Sequence, residues 1–464
     1  MFKFYLIAAL FFPVLSIFAQ TQVSGNQSGT WSVDGSPYQV TGHIRIPSGQ
    51  VLHIDAGVRI EFQGRYRIYV DGKLLANGTE TDSIVFTAAN HDSGWAGIRM
   101  DQTSDISEFY YCRFEYGKTS ANGSYPDQHG GAVVLHNADA EFYHCVFENN
   151  DATGDNDGMG GAVYGINTGN STQTRTRFED CTFLNNHAFG EGGAVKLTND
   201  KNTQFIRCKF YGNSAGYGGG ALFFYTAENV LISQCAFYEN TASNSGGGAV
   251  KTLNPQSSIS FVNCTFNRNH SRGYAEGGAV DLAYADAVFT NCIIYNNTQQ
   301  YGKDVHIGQN ASAEFHFCDV DMPDNGTGDH NLDNLNPLFV DADRGDLHLQ
   351  AGSPCIDAGT DVGLPYAGNA PDMGCYEFGL VGVEKNWTQV AAVYPIPADD
   401  ILWIRRLHAG KMLIELLTLQ GEKLLQKKCD SFCVLSVNSF SPGIYILRIQ
   451  TENKTYAGRI LIKK

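Results

Sequence analysis

One phrase recurs through the middle of this chain and restricts what the chain can fold into. From Gly192 it reads GGAVKLTNDKNTQFIRCKFYGN, from Gly219 GGALFFYTAENVLISQCAFYEN, and from Gly247 GGAVKTLNPQSSISFVNCTFNRN. Gly-Gly-Ala openings fall at Gly130, Gly160, Gly192, Gly219, Gly247 and Gly277, and cysteines recur at 112, 145, 181, 208, 235, 264, 292 and 318. The step from one cysteine to the next is 26 to 36 residues. A fixed period of that size marks a stack of like units. Inside each unit the segments are short, apolar at every second residue, and bounded by Gly, Asn and Asp. That is strand chemistry, and no run carries the helical period.

A propeller blade takes about 40 residues or more, so these units are too short for one. A coil of three short strands fits, which makes the stack a parallel β-helix. Equivalent residues of successive coils then lie about 4.8 Å apart. Asn150, Asn186, Asn213, Asn240, Asn269 and Asn297 each follow a cysteine by five residues. Stacked amides can hydrogen-bond along such a column, and Asn tolerates the left-handed conformation of a tight turn. Phe114, Phe147, Phe183, Phe210, Phe237 and Phe266 follow a cysteine by two, so Cys and Phe point into the coil together. The paired glycines mark a bend where no Cβ fits or where φ is positive.

At these residues, over roughly Phe109 to Asp321, the chain resembles β-helix proteins whose repeats read GGA(V/I)…FxxN, such as the polymorphic outer-membrane protein repeats. The resemblance implies an all-β chain: a right-handed parallel β-helix, the pectin-lyase-like solenoid. It names no activity, because that fold hosts lyases, hydrolases, adhesins and passengers alike.

Read in order, residues 1–19 form a signal peptide, with Lys3 ahead of an apolar run too short to span a membrane. No second apolar span follows, so the mature protein is expected to have no transmembrane segment. Residues 20–108 read as the N-terminal cap and first coils, broken at Pro47-Ser48-Gly49, Asp55-Ala56-Gly57, Asp71-Gly72 and Asn77-Gly78. A coil end is an open strand edge and needs a cap. Residues 109–333 carry the repeats. Residues 334–379, NPLFVDADRGDLHLQAGSPCIDAG…MGCYEFG, resemble the choice-of-anchor Q end segment of surface β-helices and read as a C-terminal cap, in which Arg344-Gly345-Asp346 is either an integrin-type triplet or, the favoured reading, a turn between cap strands. Residues 380–391 are a linker. Residues 392–464, with VYPIPADDILWI, a mid-domain Gly and SPGIYILRI, form a small β-sandwich and resemble the C-terminal sorting domain of type IX secretion cargo. Ile396 stands where that family usually has Asn between the prolines. The resemblance implies handling by the type IX machinery, passage through the outer membrane of a Gram-negative bacterium, removal of the sorting domain, and release or attachment at the cell surface.

Formal charge is −16; with the +5 of residues 391–464 and Lys3 set aside, the rest carries −22. So acidic a body repels polyanions, which excludes nucleic acid as a partner. The eight repeat cysteines read as buried apolar residues, because stacked Cβ atoms one strand apart are wider than the roughly 3.8 Å a disulfide prefers. Cys355 with Cys375, and Cys429 with Cys433, could pair. No cysteine or histidine spacing suits zinc.

Chemistry would sit on an outer face. Two residues after each Gly-Gly-Ala stand Val134, Tyr164, Lys196, Phe223, Lys251 and Asp281, and two further stand His136, Ile166, Thr198, Tyr225, Leu253 and Ala283. The centre of this face offers Tyr164, Lys196, Phe223, Tyr225 and Lys251. Aromatic rings beside ammonium groups suit a polysaccharide or surface glycan. A lyase of the β-helix type would use Lys196 or Lys251 as its base, whereas a hydrolase needs two carboxylates about 5–9.5 Å apart and this row supplies only Asp281. A plain solvated sheet face and a structural adhesin are the other readings. Asp151, Asp155 and Asp157 could hold Ca²⁺ through oxygens, or simply form a solvated turn. Asp319, Asp321 and Asp324 form a similar acidic turn, and His129, His187 and His270 sit at coil edges.

Overall fold

The computed structural model describes residues 20–119, 125, 127–154, 157–168, 176–254, 257–272, 277–299, 302–379, 391–394, 401–406, 410–418, 423–441, 443–451 and 455–462. The chain divides into two compact units, Met1–Leu335 and Asn336–Lys464.

In the first unit each repeat is one coil. The coil around Cys181 consists of strands Arg177–Glu179, Thr182–Leu184, His187–Ala188 and Val195–Lys201. The next coil repeats it with Gln204–Ile206, Lys209–Tyr211, Ser214–Ala215 and Leu222–Glu228. Counterparts pair in parallel: Phe178 with Phe205, Phe183 with Phe210, Ala188 with Ala215, Val195 with Leu222. There are thus four strands to a coil, not the three expected. The extra one is only two residues long, too short to show an alternation in sequence.

The interior is filled by rings. Phe86, Phe114, Phe147, Phe183, Phe210, Phe237 and Phe266 stack with centroids 4.6–5.0 Å apart. A second column, Phe109, Phe142, Phe178 and Phe205, stacks at 4.9–5.0 Å and meets the first edge to face. Offset stacking along each column and T-shaped contact between columns are both favourable ring geometries. The eight repeat cysteines lie beside these rings, buried, each thiol donating to a backbone carbonyl, as Cys145 Sγ does to Phe109 O at 3.4 Å.

Two of the corners that turn each coil hold a left-handed residue just ahead of the cysteine and just ahead of the asparagine ladder. At one, Tyr111, His144, Asp180, Arg207, Gln234, Asn263, Asn291 and Phe317 have φ of 48–54°. At the other, the positive φ belongs to Asn149, Asn185, Gly212, Glu239, Arg268 and Asn296, one residue before the asparagine ladder. This corrects the expectation that the ladder residues themselves are left-handed. Their role is to bond: Asn186 Nδ2 donates to Asn213 Oδ1 at 2.9 Å and to Phe147 O at 2.9 Å, and Asn186 N–H donates to the same Oδ1 at 3.0 Å. The glycine pair divides its labour. Gly192 has φ of +68°, while a Cβ on Gly193 would lie 2.1 Å from Gly220 O.

The N-terminal coils follow the same plan: strand Tyr38–Ile46 pairs with Thr21–Asn26 on one side and with Arg59–Phe62 and Ile68–Val70 on the other. Their strand breaks fall at the four turn sequences read above. Trp31 stacks on Tyr38 at 4.7 Å near the open end.

In the second unit, Phe339–Asp341 and Asp346–Leu349 form a hairpin whose turn contains Arg344 and Gly345, as read from the Arg-Gly-Asp triplet. Cys355 and Cys375 are buried. The tail folds into two antiparallel sheets, Ala391–Tyr394 with Ile401–Arg406 and Phe432–Ser436, and Lys423–Cys429 with Met412–Leu417, Gly443–Gln450 and Thr455–Ile462. Cys429 and Cys433 are joined by a disulfide. No helix among the described residues is long and apolar enough to cross a membrane.

Candidate functional site

The strands that follow Gly-Gly-Ala place the expected residues in one column. Val134 pairs with Tyr164, Tyr164 with Lys196, Lys196 with Phe223, Phe223 with Lys251 and Lys251 with Asp281. The column is longer than the repeat motif indicates: it continues to His306 at one end, and through Arg99 and Tyr69 to Arg45 at the other. No Gly-Gly-Ala marks those coils, so only strand register reveals the extension.

The column does not form an open strip. Tyr164, Lys196, Phe223 and Lys251 are only 3, 6, 1 and 8% exposed, and Tyr225 alone of the five expected ligand residues is open, at 37%. The cover comes from Gly-Gly-Ala glycines and from the turns ahead of them, as Gly130 and Gly218 show. A Cβ on Gly218 would lie 2.3 Å from Lys251 Cδ, and one on Gly130 would lie 3.1 Å from Tyr164 Cβ. Glycine is therefore needed where this backbone crosses the row.

The turns also neutralise the row. Lys196 Nζ lies 2.6 Å from Glu191 Oε2 and 2.8 Å from Met159 Sδ, and 5.1 Å from the centre of the Phe223 ring. Lys251 Nζ lies 2.6 Å from Asp281 Oδ2 and donates to Ser245 Oγ at 2.6 Å; the other Asp281 oxygen bonds His306 Nδ1 at 2.6 Å. Burial pushes the Asp281 carboxyl up, but His306 and Lys251 outweigh it and hold the group below its ordinary value. The His129 ring lies against Tyr164, tilted by 36° with centroids 4.5 Å apart, and its Nδ1 accepts the Met159 N–H. Burial, with the Lys196 charge beside it, lowers His129 to about 4, so it is neutral at pH 7. Burial, then a hydrogen bond with Tyr125, raises the Tyr164 hydroxyl, which stays protonated. Both lysines are thus held as ion pairs, and Phe223 stands between them in the column.

The acidic turns are likewise occupied. Asp151 Oδ2 lies 3.4 Å from Lys118 Nζ, and Asp157 Oδ2 accepts from Gln128 Nε2 at 3.2 Å; Asp155 lies outside the described residues. Asp319 accepts the Leu335 N–H, and Asp321 pairs with Lys303 at 3.0 Å. Among the described residues no three acidic, histidine or cysteine groups converge as metal ligands. His187 and His270 bond Ser214 Oγ and Thr298 Oγ1 on the next coil.

The turn side carries exposed Tyr125 and Tyr217, and the downstream edge of the same strands is open as well. Tyr225 and Tyr284 are both 37% exposed. Strand register puts Leu253 beside Tyr225 on the next coil, and Tyr284 turns the corner one coil later. Along this corner Asn137 Nδ2 donates to Thr168 Oγ1, Asn199 Nδ2 to Asn167 O, and Asn254 Nδ2 to Thr226 Oγ1. Two tyrosines about two coils apart, roughly 10 Å, therefore border a row of neutral amides and hydroxyls.

A model described as the right handed beta helix region matches residues 96–281 and 164–336, together more than half of the chain. A model described as the secretion system C-terminal sorting domain matches residues 392–463. No curated protein matches the chain. The parallel coils and this match agree, and the chain belongs to the right handed beta helix family, with a secretion-system sorting domain at its end.

Proposed function

We propose that this secreted β-helix protein is displayed at the surface of a Gram-negative bacterium and binds a neutral glycan along the Tyr225–Tyr284 edge. The sorting domain makes the chain cargo of the type IX machinery. The observation that carries the binding reading is the contrast across one sheet: the lysines are ion-paired under turns, whereas Tyr225, Tyr284 and Asn199 are exposed and Asn137 and Asn254 are half-buried. Tyrosine presents a flat apolar face and a hydroxyl at little entropic cost, and amides serve as both donor and acceptor for sugar hydroxyls. This moves the expected contact from Tyr164, Lys196, Phe223 and Lys251 to Tyr225 and its downstream neighbours.

The test is retention of the secreted chain on immobilised neutral and acidic polysaccharides, with product analysis of the flow-through. Retention on a neutral glycan that falls about tenfold in Tyr225→Ala and Tyr284→Ala supports the reading. New oligosaccharides would replace it with a carbohydrate-active enzyme. Absence of both retention and products would leave a structural adhesin passenger.

A further inference from the structure

The column of two-residue strands places a nucleophile beside a base. Strands Asp151–Ala152, His187–Ala188 and Ser214–Ala215 stack in parallel, with Asp151 beside His187 and His187 beside Ser214. His187 Nδ1 lies 2.8 Å from Ser214 Oγ, and both side chains are half-buried. Asp151 stands on the other side of the imidazole. Its Oδ2 lies 3.4 Å from Lys118 Nζ, while its Oδ1 is buried and has no hydrogen-bond partner among the described residues. A carboxylate on that side favours the tautomer with hydrogen on Nε2, and this leaves Nδ1 bare to accept the Ser214 O–H. His270 Nδ1 makes the same kind of contact with Thr298 Oγ1 at 2.7 Å, but its upstream neighbour in the column is Thr241, which carries no charge.

Just downstream, Phe189 and Tyr217 meet edge to face with ring centres 6.3 Å apart, and Tyr217 is 48% exposed. A Cβ on Gly216 would lie 1.9 Å from Phe189 O, so the two segments run in contact between the dyad and the rings. We propose that Ser214 and His187 are the nucleophile and base of an ester hydrolase, that Asp151 positions the imidazole, and that Phe189 and Tyr217 hold an aromatic group of the substrate. Ser214 Oγ bonds the ester carbonyl carbon as its proton passes to His187 Nδ1; the ester C–O bond then breaks, and the leaving oxygen takes that proton to give an alcohol and an acyl-serine. Water gives a proton to His187 and attacks the acyl-serine; Ser214 takes the proton back as the carboxylic acid leaves. Water is the sole co-reactant. Glycosidic linkages stay intact, so the proposal does not rest on glycan binding at Tyr225 and Tyr284.

The experiment is hydrolysis of p-nitrophenyl butyrate by the secreted chain, with mass-spectrometric mapping of the serine that a fluorophosphonate labels. The expected result is release of p-nitrophenol and a label on Ser214. Ser214→Ala and His187→Gln should each lower the rate at least about a hundredfold, and His270→Gln should leave it unchanged. Asp151→Asn should lower it about tenfold and move the acid limb of the pH–rate profile to lower pH, because a neighbouring carboxylate raises an imidazole's pKa and a purely structural contact would not move that limb. Tyr217→Ala should raise KM and leave kcat nearly unchanged. No hydrolysis beyond that of Ser214→Ala, a label on another serine instead, or labelling of Ser214 as fast in His187→Gln as in the parent overturns the proposal. If the variants do not fold, labelling of the parent decides. Modification of Ser214 in the native chain and not after unfolding in urea supports the dyad; equal modification, or none, overturns it.

Discussion

Asn297 donates twice to a single oxygen of Asp304, from its side-chain amide at 3.0 Å and from its backbone N–H at 3.4 Å. The asparagine ladder ends there. It begins where the Gly117 N–H donates to Asn150 Oδ1, and each rung hands its oxygen to the amide and N–H of the rung before. Asp304 thus does for Asn297 what an asparagine does for every other rung.

A carboxylate is a costly substitute in that position. Burial, opposed by the Asn297 donors, raises Asp304 to about 6. The unfolded chain releases this proton near pH 4. Between about pH 4 and 6 the folded chain therefore binds more protons, and this group's contribution to stability falls as pH rises through that window. Asp304→Asn restores an amide rung and is expected to stabilise the last coils by up to about 3 kcal/mol at pH 8 and by nothing at pH 4. Urea unfolding at the two pH values checks it; an equal gain at both would remove titration from the explanation.

Asn213 is a middle rung. Its Nδ2 donates to Asn240 Oδ1 and Phe183 O, both at 2.9 Å, and its Oδ1 accepts from Asn186 Nδ2 and N–H. Truncation to Ala strands buried donors and acceptors on two neighbouring coils. The expected cost is about 3–5 kcal/mol, larger than for an exposed asparagine such as Asn244. Denaturant midpoints of Asn213→Ala and Asn244→Ala measure the difference.

The ladder, the Cys-x-Phe strand and the glycine pair were legible because each is a periodic residue type whose stacking follows from register alone. The second ring column was equally legible, since Phe109, Phe142, Phe178 and Phe205 each precede a cysteine by three, but that offset draws no notice beside the cysteine itself. Burial of the Lys196 row was not legible. Alternation tells on which side of a sheet a side chain leaves, and nothing in it reports that Glu191, Gly218 or Ser245 crosses above. Those covers belong to the turns, whose path depends on left-handed glycines such as Gly192 and Gly219.

Two glycines of similar appearance separate conformation from space. At Gly193 a Cβ would meet Gly220 O at 2.1 Å and Ser214 O at 2.5 Å, so Gly193→Ala is expected to prevent the coil from closing. Gly212 has φ of +63°, and its Cβ would meet the Asn185 side-chain oxygen at 2.6 Å, a neighbour that can rotate. Other coils carry Asn149, Asn185 and Asn296 at that corner with the same φ sign. Gly212→Asn should fold, with a change within about 1 kcal/mol, since asparagine tolerates this region and loses less chain entropy than glycine. Expression yield and melting of the two variants distinguish the cases.

Lys251 tests whether the covered row is machinery or framework. Asp281 is a buried carboxylate held between Lys251 and His306, and its lowered pKa means that the pairing stabilises the fold above the unfolded-state value and is lost as pH falls through the folded one. Lys251→Ala leaves that charge with His306 as its remaining partner among these two, at an expected cost of about 3–5 kcal/mol near neutral pH. Removing both members restores much of it: Lys251→Met with Asp281→Leu should be less destabilised than Lys251→Ala alone, because no uncompensated charge stays buried. The double variant should also lose the part of the acid sensitivity that Asp281 supplies. Urea midpoints from pH 3 to 8 measure all three proteins. If Lys251→Ala instead leaves stability unchanged while abolishing retention on a glycan, the lysine serves a ligand and not the coil.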